Sequence, residues 1–272
     1  MTLDPAATAD GYLTVGLLDR ATVRRLGEAF AGLDVPADHG FHATSAHGTR
    51  ATARSVDRLL KTELGPFVRR ILPDHEPFLA AFISKGARNG GTVDFHQDWT
   101  YTDERRGRVV LFWIPLVETT EASGALRAVP GSHAWTTGLR PSGAAHPTEP
   151  LQADLARRSV TVPLEAGAAC VYDPALVHGS FPNPSPAARP AAAIALAPSA
   201  EPLVHFHVDE RGGLTGWRID ESHFTTRPFG SRPEGCPAIE PWEPPVSTDE
   251  LARNLRSPRP LVRPLTAGSH WR

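Results

Sequence analysis

In the run Asp94-Phe95-His96-Gln97-Asp98-Trp99 an imidazole and a carboxylate stand two positions apart. On an extended strand residues so spaced point to one side, so His96 and Asp98 can share an ion. A neutral imidazole nitrogen with a charged oxygen suits a first-row divalent metal. His178, where the β-rich stretch from Val171 reaches a turn before Gly179-Ser180, offers a third ligand. Two histidines and one carboxylate occupy one face of an octahedral ion and leave positions for a bidentate co-substrate and oxygen, as in non-haem iron oxygenases. Zinc instead favours a closed tetrahedral set richer in sulfur or histidine. A zinc hydrolase would also need an activated water and a general base, and would leave Arg189 without a task.

Arg189 lies eleven positions past His178 and precedes the β-prone stretch Pro190 to Leu196. Its planar, permanently charged fork suits the far end of a dicarboxylate, gripped by paired hydrogen bonds. The bland alternative is a surface arginine at a strand edge.

These residues need elements to hold them. Asp19 can cap a helix whose Val23, Leu26, Phe30 and Leu33 form one apolar stripe. A second helix is expected from about Arg50 to Ile71, with Val56, Leu59, Leu60, Leu64, Phe67, Val68 and Ile71 on one face and Pro73 as a stop. From Pro77 the texture changes to short β-prone runs: Phe78 to Ser84, Val109 to Leu116, Ala125 to Val129, Val160 to Leu164, Ala169 to Tyr172, Pro190 to Leu196 and Leu203 to Val208. Helices followed by many strands imply an α+β chain with a β-sandwich or jelly-roll core. The long Gly-, Pro- and His-rich connection from Ala134 to Arg158 is unusual for a passive loop and is a candidate cover for a site.

The 272 residues carry a formal net charge of -2, which gives neither the basic excess of a nucleic-acid binder nor an acidic tail. With 40% hydrophobic residues the chain can bury a globular core, and no apolar run approaches the roughly 18 residues of a membrane span. Met1 to Asp10 is small and acidic, unlike a secretory signal, so the cytoplasm is the expected compartment. Cys170 and Cys236 read as isolated thiols rather than a disulfide or zinc framework. Abundant Ala, Arg and Pro suggest a high-GC bacterial source.

Five ordered motifs make the comparison specific. Phe95-His96-Gln97-Asp98-Trp99, Leu111-Phe112-Trp113-Ile114-Pro115-Leu116, Ser123-Gly124-Ala125-Leu126, Pro130-Gly131-Ser132-His133, and His178-Gly179-Ser180-Phe181-Pro182-Asn183-Pro184-Ser185 with Arg189 resemble the phytanoyl-CoA dioxygenase family from about Gly11 to Leu196. The resemblance implies a double-stranded β-helix, a jelly-roll or cupin-like core with N-terminal helices packed on it. It also implies iron(II), with 2-oxoglutarate and O2 as co-substrates. His96, Asp98 and His178 match the iron ligands, and Trp113, Ser180 and Arg189 match the 2-oxoglutarate pocket, with Arg189 toward the distal carboxylate. Gly131-Ser132-His133 matches a structural turn. Halogenating relatives replace the carboxylate by a small residue, so Asp98 implies hydroxylation or a related oxidation. Ser123-Gly124-Ala125-Leu126 departs from the family's usual Asn-Gly-Cys-Leu at a place remote from the ligands.

The chain then reads as a single oxygenase domain over 1–272, with a helical part at about 11–72, a jelly-roll core at about 77–209 and a Pro-rich extension at about 210–272. The expected activity is oxidation of a small-molecule C–H bond in bacterial specialised metabolism, with succinate and CO2 as co-products. The rival is a non-catalytic jelly-roll protein that binds metal or 2-oxoglutarate. A small-molecule substrate is expected, with no nucleic-acid or membrane partner. Trp99 and Tyr101, read as continuing the alternation of His96 and Asp98, are candidates for the substrate cavity or for packing beside it. Lys85 and Arg127 are expected as solvated charges, and His39, His42 and His47 as loop or lid residues. His205 and His207 alternate on a late strand without a nearby carboxylate.

Overall fold

The computed structural model describes residues 8–35, 40–88 and 90–256. His39, the leading residues through Ala7 and the tail from Ser257 lie outside the described residues. The strands up to the jelly roll's last are β1 (Tyr12–Gly16), β2 (Phe41–Ala43), β3 (His75–Lys85), β4 (Val93–His96), β5 (Val110–Pro115), β6 (Leu126–Ala128), β7 (Val160–Val162), β8 (Ala168–Tyr172), β9 (His178–Ser180) and β10 (Arg189–Pro198). They form a six-stranded sheet in the order β1-β8-β5-β10-β3-β2 and a four-stranded sheet in the order β4-β9-β6-β7. Every pairing within them is antiparallel. Together they make the double-stranded β-helix expected from the motifs.

Alternation along the large sheet assigns its two faces. Phe82 of β3, Phe112 and Ile114 of β5, and Ala192, Ile194 and Leu196 of β10 face one way, into a core shared with the helices. Trp113, Cys170, Tyr172 and Ala191 face the other way and meet Leu126, Ala128 and Val162 of the small sheet. The inward residues of β10 are Ala191, Ala193 and Ala195, and side chains this short leave open space between the sheets.

Helix α1 (Arg20–Ala31) starts where the Asp19 carboxylate accepts the Thr22 amide at 2.7 Å. Helix α2 (Arg50–Ile71) is capped by Thr49 and lays Val56, Leu60, Leu64 and Val68 on the large sheet. Leu59 departs from the expected apolar face and is exposed. Asp57, buried on α2, accepts the Ala80 amide at 2.7 Å and so ties helix to strand.

Several features differ from the sequence reading. Segment 11–72, expected as helical, also contributes β1 and β2 to the large sheet. Both are short strands whose partners lie far along the chain, so little local pattern marks them. Helix α3 (Gln152–Arg158) closes the long connection after Ala134, anchored by the fully buried Leu155. The expected boundary near 209 falls inside a hairpin of β11 (Leu203–Val208) and β12 (Leu214–Ile219), joined through Asp209, whose carboxylate caps Arg211 and Gly213. With β13 (Ala238–Ile239) this hairpin makes a third sheet, and Gly216 is needed there because a Cβ would lie 2.5 Å from the Phe206 ring. The short α4 (His223–Thr226) and α5 (Thr248–Arg256) follow, and Leu255 of α5 packs with Phe95 and Leu155. No helix among the described residues is long and apolar enough to cross a membrane.

Leu60 is fully buried between α2 and the sheet. Leu60→Ala is expected to cost about 2–5 kcal/mol, read as a lower urea midpoint at unchanged slope. His205 of β11 is 1% exposed, with Nε2 2.8 Å from the Ser142 hydroxyl. Burial, followed by the neighbouring His223 and His207, pushes its imidazole down from 6.5 to about 3. Because the folded value lies below the unfolded one, the unfolded chain takes up the proton first as pH falls. Stability is therefore complete above about 6.5 and lost progressively toward 3. Urea midpoints measured across that window are expected to fall with acid, and less steeply in His205→Gln.

Candidate active site

Strands β4 and β9 pair so that His96 lies opposite His178, while Val93 lies opposite Ser180. Three steps on β4 thus match two on β9. The extra residue is a β-bulge, and it turns His96 back to the face that Val93 occupies. Val93, His96, His178 and Ser180 consequently line one cavity, whereas Phe95 points into a separate core with Val129 and Val177. Gly179 sits against the bulge, where a Cβ would lie 2.7 Å from the Val93 carbonyl oxygen.

Each histidine is held by its own backbone. His96 Nδ1 is 2.8 Å from the Asp94 carbonyl, and His178 Nδ1 is 3.0 Å from that of Leu176. A carbonyl only accepts, so both Nδ1 atoms carry hydrogen and both Nε2 atoms present a lone pair. Those Nε2 atoms lie 3.9 and 3.8 Å from the two Asp98 oxygens, and one ligand atom from each residue falls within 4.8 Å of the others. Adjacent ligands of an octahedral ion with bonds of about 2.1 Å stand about 3 Å apart, so small side-chain movements would close the set. Asp98 Oδ2 is buried without a hydrogen-bond partner. A cation fits these donors, and two imidazoles with one carboxylate fit iron(II).

Asp98 reaches this position differently from the sequence expectation. The strand ends at His96, and Asp98 is placed by backbone contacts. Its amide donates to Pro174 at 2.9 Å, its carbonyl accepts from Arg140 Nε at 2.7 Å, and the Gln97 side chain donates to Ala175 at 2.6 Å. Behind them the Gln97 amide donates to His146 Nε2 at 3.1 Å, and His146 Nδ1 meets Thr148 at 2.6 Å. Arg140 and His146 belong to the long connection that the sequence marked as a cover. That reading located the loop without finding these residues, because only the folded chain shows which side chains turn inward. Burial, then the His96 imidazole, holds both His146 and His178 down at about 4, so both are neutral near pH 7.

The cavity measures about 260 Å³ and extends from the histidines to Arg189. Arg189 is 2% exposed rather than at a surface edge. Its guanidinium lies 5.0 Å from the centre of the Trp113 ring, and its Nε and Nη1 are buried without hydrogen-bond partners. Unpaired donors on a buried cation are costly, and a carboxylate facing the guanidinium would satisfy one side of it. Ser180 is buried and lines the same space. Lys85, expected as a solvated charge, is fully buried opposite Arg189 in the β3–β10 pair and donates to the Phe181 carbonyl. Burial and then the Arg189 charge bring its ammonium down to about 7. Its position at the end of a strand carried no sign of this, because its burial comes from the loop around Phe181.

Of the two substrate candidates, Tyr101 lines the cavity and Trp99 does not; Trp99 stacks instead on Phe229 and His205. The alternation of His96 and Asp98 reaches neither: both stand an odd number of residues from His96, which on a strand is the opposite face, and the strand ends at His96. Phe229 lines the cavity from the Pro-rich segment and escaped the sequence reading. Arg127, expected as solvated, is partly buried over the Phe181 ring and donates to the Ala156 carbonyl. His42 lies in β2 rather than in a loop, and His47 Nδ1 accepts the Ala43 amide. His205 and His207 share the Ser142 hydroxyl. In the Gly131-Ser132-His133 turn, the Ser132 hydroxyl accepts the Val177 amide at 2.7 Å and so steadies the approach to His178.

Among known proteins, a match of 31% identity over 118 residues is to the Phytanoyl-CoA dioxygenase domain-containing protein 1 homolog of Dictyostelium discoideum; it takes in 40% of this chain and 41% of that relative's length. Solved structures show the same fold. EvdO2 from Micromonospora carbonacea var. aurantiaca, complexed with 2-oxoglutarate, superposes with a TM-score of 0.54 at 22% identity, covering 71% of this chain and 89% of that one. HygX from Streptomyces hygroscopicus, with nickel, 2-oxoglutarate and hygromycin B bound, gives 0.51 at 15% identity, covering 71% and 84%. The family model for phytanoyl-CoA dioxygenase matches residues 9–191, which include all four of His96, Asp98, His178 and Arg189. The chain therefore belongs to the phytanoyl-CoA dioxygenase family.

Proposed function

We propose that this enzyme oxidises, most simply hydroxylates, a C–H bond of a small molecule in bacterial specialised metabolism. We further propose that His96, Asp98 and His178 hold the iron while Arg189, Trp113 and Ser180 seat 2-oxoglutarate. The observation that carries this reading is the sharing of one cavity by the three donor side chains and the buried, partly unpartnered Arg189. The small-molecule part draws support from the hygromycin B bound to HygX, and the bacterial setting from the sources of HygX and EvdO2.

The residues divide the work. His96 and His178 offer Nε2 lone pairs in fixed orientation, because each Nδ1–H is tied to a backbone carbonyl. Asp98 contributes the anionic donor and takes the place that a halide would need, which favours oxygen insertion. Arg189, whose Nε and Nη1 are buried without hydrogen-bond partners, would receive the far carboxylate of the co-substrate, and the Trp113 ring supports its guanidinium. Tyr172 lines the cavity beside Asp98; burial and that carboxylate raise its hydroxyl well above the ordinary value, so it stays protonated. Apolar walls from Leu111, Ala193 and Ala195 exclude water. When bound, iron, 2-oxoglutarate and oxygen supply the oxidising chemistry, and succinate and CO2 leave as co-products.

His96→Ala is expected to lose stoichiometric metal binding and 2-oxoglutarate-dependent succinate formation, measured by metal analysis and product assay; full activity in that variant refutes the assignment. Arg189→Ala is expected to weaken 2-oxoglutarate by about 2–4 kcal/mol, roughly 30- to 1000-fold, with metal affinity retained. Anaerobic titration of the metal-loaded protein with 2-oxoglutarate reads both quantities.

A further inference from the structure

We infer that the part of the substrate brought to the metal is a neutral, largely apolar ring or chain end, and that Phe229 is a residue that selects it. This deepens the proposed function and rests on its placement of metal and co-substrate.

Charge is distributed unevenly around the cavity. Among the described residues that line it, the ionisable acids and bases are His96, Asp98, His178 and Arg189, apart from the tyrosines. All four belong to the proposed metal and 2-oxoglutarate sites. The remaining wall is built from Phe41, Ala43, Leu79, Ala81, Tyr101 and Phe229, with Ser45 as a small neutral hydrogen-bonding group. Burial holds the Tyr101 phenol well above its ordinary value, so it too stays neutral. A carboxylate, phosphate or ammonium seated on that wall would lose water without gaining an opposite charge.

Phe229 stands outside the family-matched residues 9–191 and is 39% exposed, as a residue at the cavity mouth must be. It is nevertheless held in place. The Ser231 amide donates to the Pro228 carbonyl at 3.0 Å, closing a turn with Phe229 at its corner. Gly230 has φ +76, the left-handed value that the third position of a type II turn requires. A Cβ at Gly230 would lie 2.8 Å from the Trp99 ring, so the turn seats closely on that indole. The Phe229 and Trp99 rings are 4.7 Å apart and inclined at 32°. Arg50 Nη1 donates to the Arg227 carbonyl at 2.7 Å, fastening the turn to α2. Trp99 is therefore a positioning residue that supports a specificity-determining phenylalanine.

The test uses full-length protein loaded with redox-inert nickel(II) and 2-oxoglutarate. Three rings of similar size serve as probes: cyclohexanol, cyclohexanecarboxylate and cyclohexylammonium. Paramagnetic broadening of their proton resonances reports approach to the metal. Cyclohexanol is expected to bind at least about tenfold more tightly than either ion, since only the ions must shed charge hydration. Phe229→Ala is expected to weaken cyclohexanol about fivefold, with Phe229→Leu recovering most of the affinity and 2-oxoglutarate affinity unchanged in both. An ion that binds as well as cyclohexanol, broadening by none of the three, or an unaltered Phe229→Ala variant overturns the inference while the metal and co-substrate assignment stands. Failure of the nickel-loaded wild-type protein to bind 2-oxoglutarate instead overturns that assignment, and this inference with it.

Discussion

The pairing of β4 with β9 is the constraint on which the rest of the site depends. It sets His96 opposite His178, and the bulge before His96 turns its ring to the cavity face. Without that bulge, strict alternation from Val93 would send His96 to the other side. Gly179 makes the close approach possible because any Cβ there would meet the Val93 carbonyl. The loops carrying Asp98 and Pro174 then lock together through the Asp98 amide and the Gln97 side chain, which fixes the third donor relative to the first two.

Electrostatics divides the cavity into two ends. At one, Asp98 brings a carboxylate to two imidazoles; at the other stands Arg189, whose register partner across the ends of β10 and β3 is the buried Lys85. Burial first, and then the like charge of Arg189, bring the Lys85 ammonium down to about 7. A dianionic co-substrate with a carboxylate at each end would suit both ends, one carboxylate toward the candidate metal donors and the other toward the guanidinium. The fold tolerates the arrangement because the outer face of the same sheet is covered by α1 and α2 through a continuous apolar core.

The chain beyond the family-matched residues does more than cover an edge. The third sheet joins the long connection through contacts of Ser142 with Phe206, His205 and His207, and that connection also carries Arg140 and His146, which bond to Asp98 and Gln97. The turn at Phe229 closes one side of the cavity. The residues that the family model matches thus carry the candidate donors, while a segment beyond them closes one side of the space in front.

Local sequence determined α1 and α2, many of the inward-facing strands and the chemical identity of the candidate donors, since caps, apolar spacing and side-chain type are properties of neighbouring residues. Asp19, the Leu60-Leu64-Val68 stripe and the five motifs were legible for that reason. Only the tertiary structure decided that His96 is aimed by a bulge, that Asp98 is positioned by loops rather than strand alternation, and that Lys85 is buried beside Arg189. It also decided that Tyr101 and Phe229, rather than Trp99, line the cavity. Each of these depends on contacts between segments far apart in the chain, which spacing along one segment does not record.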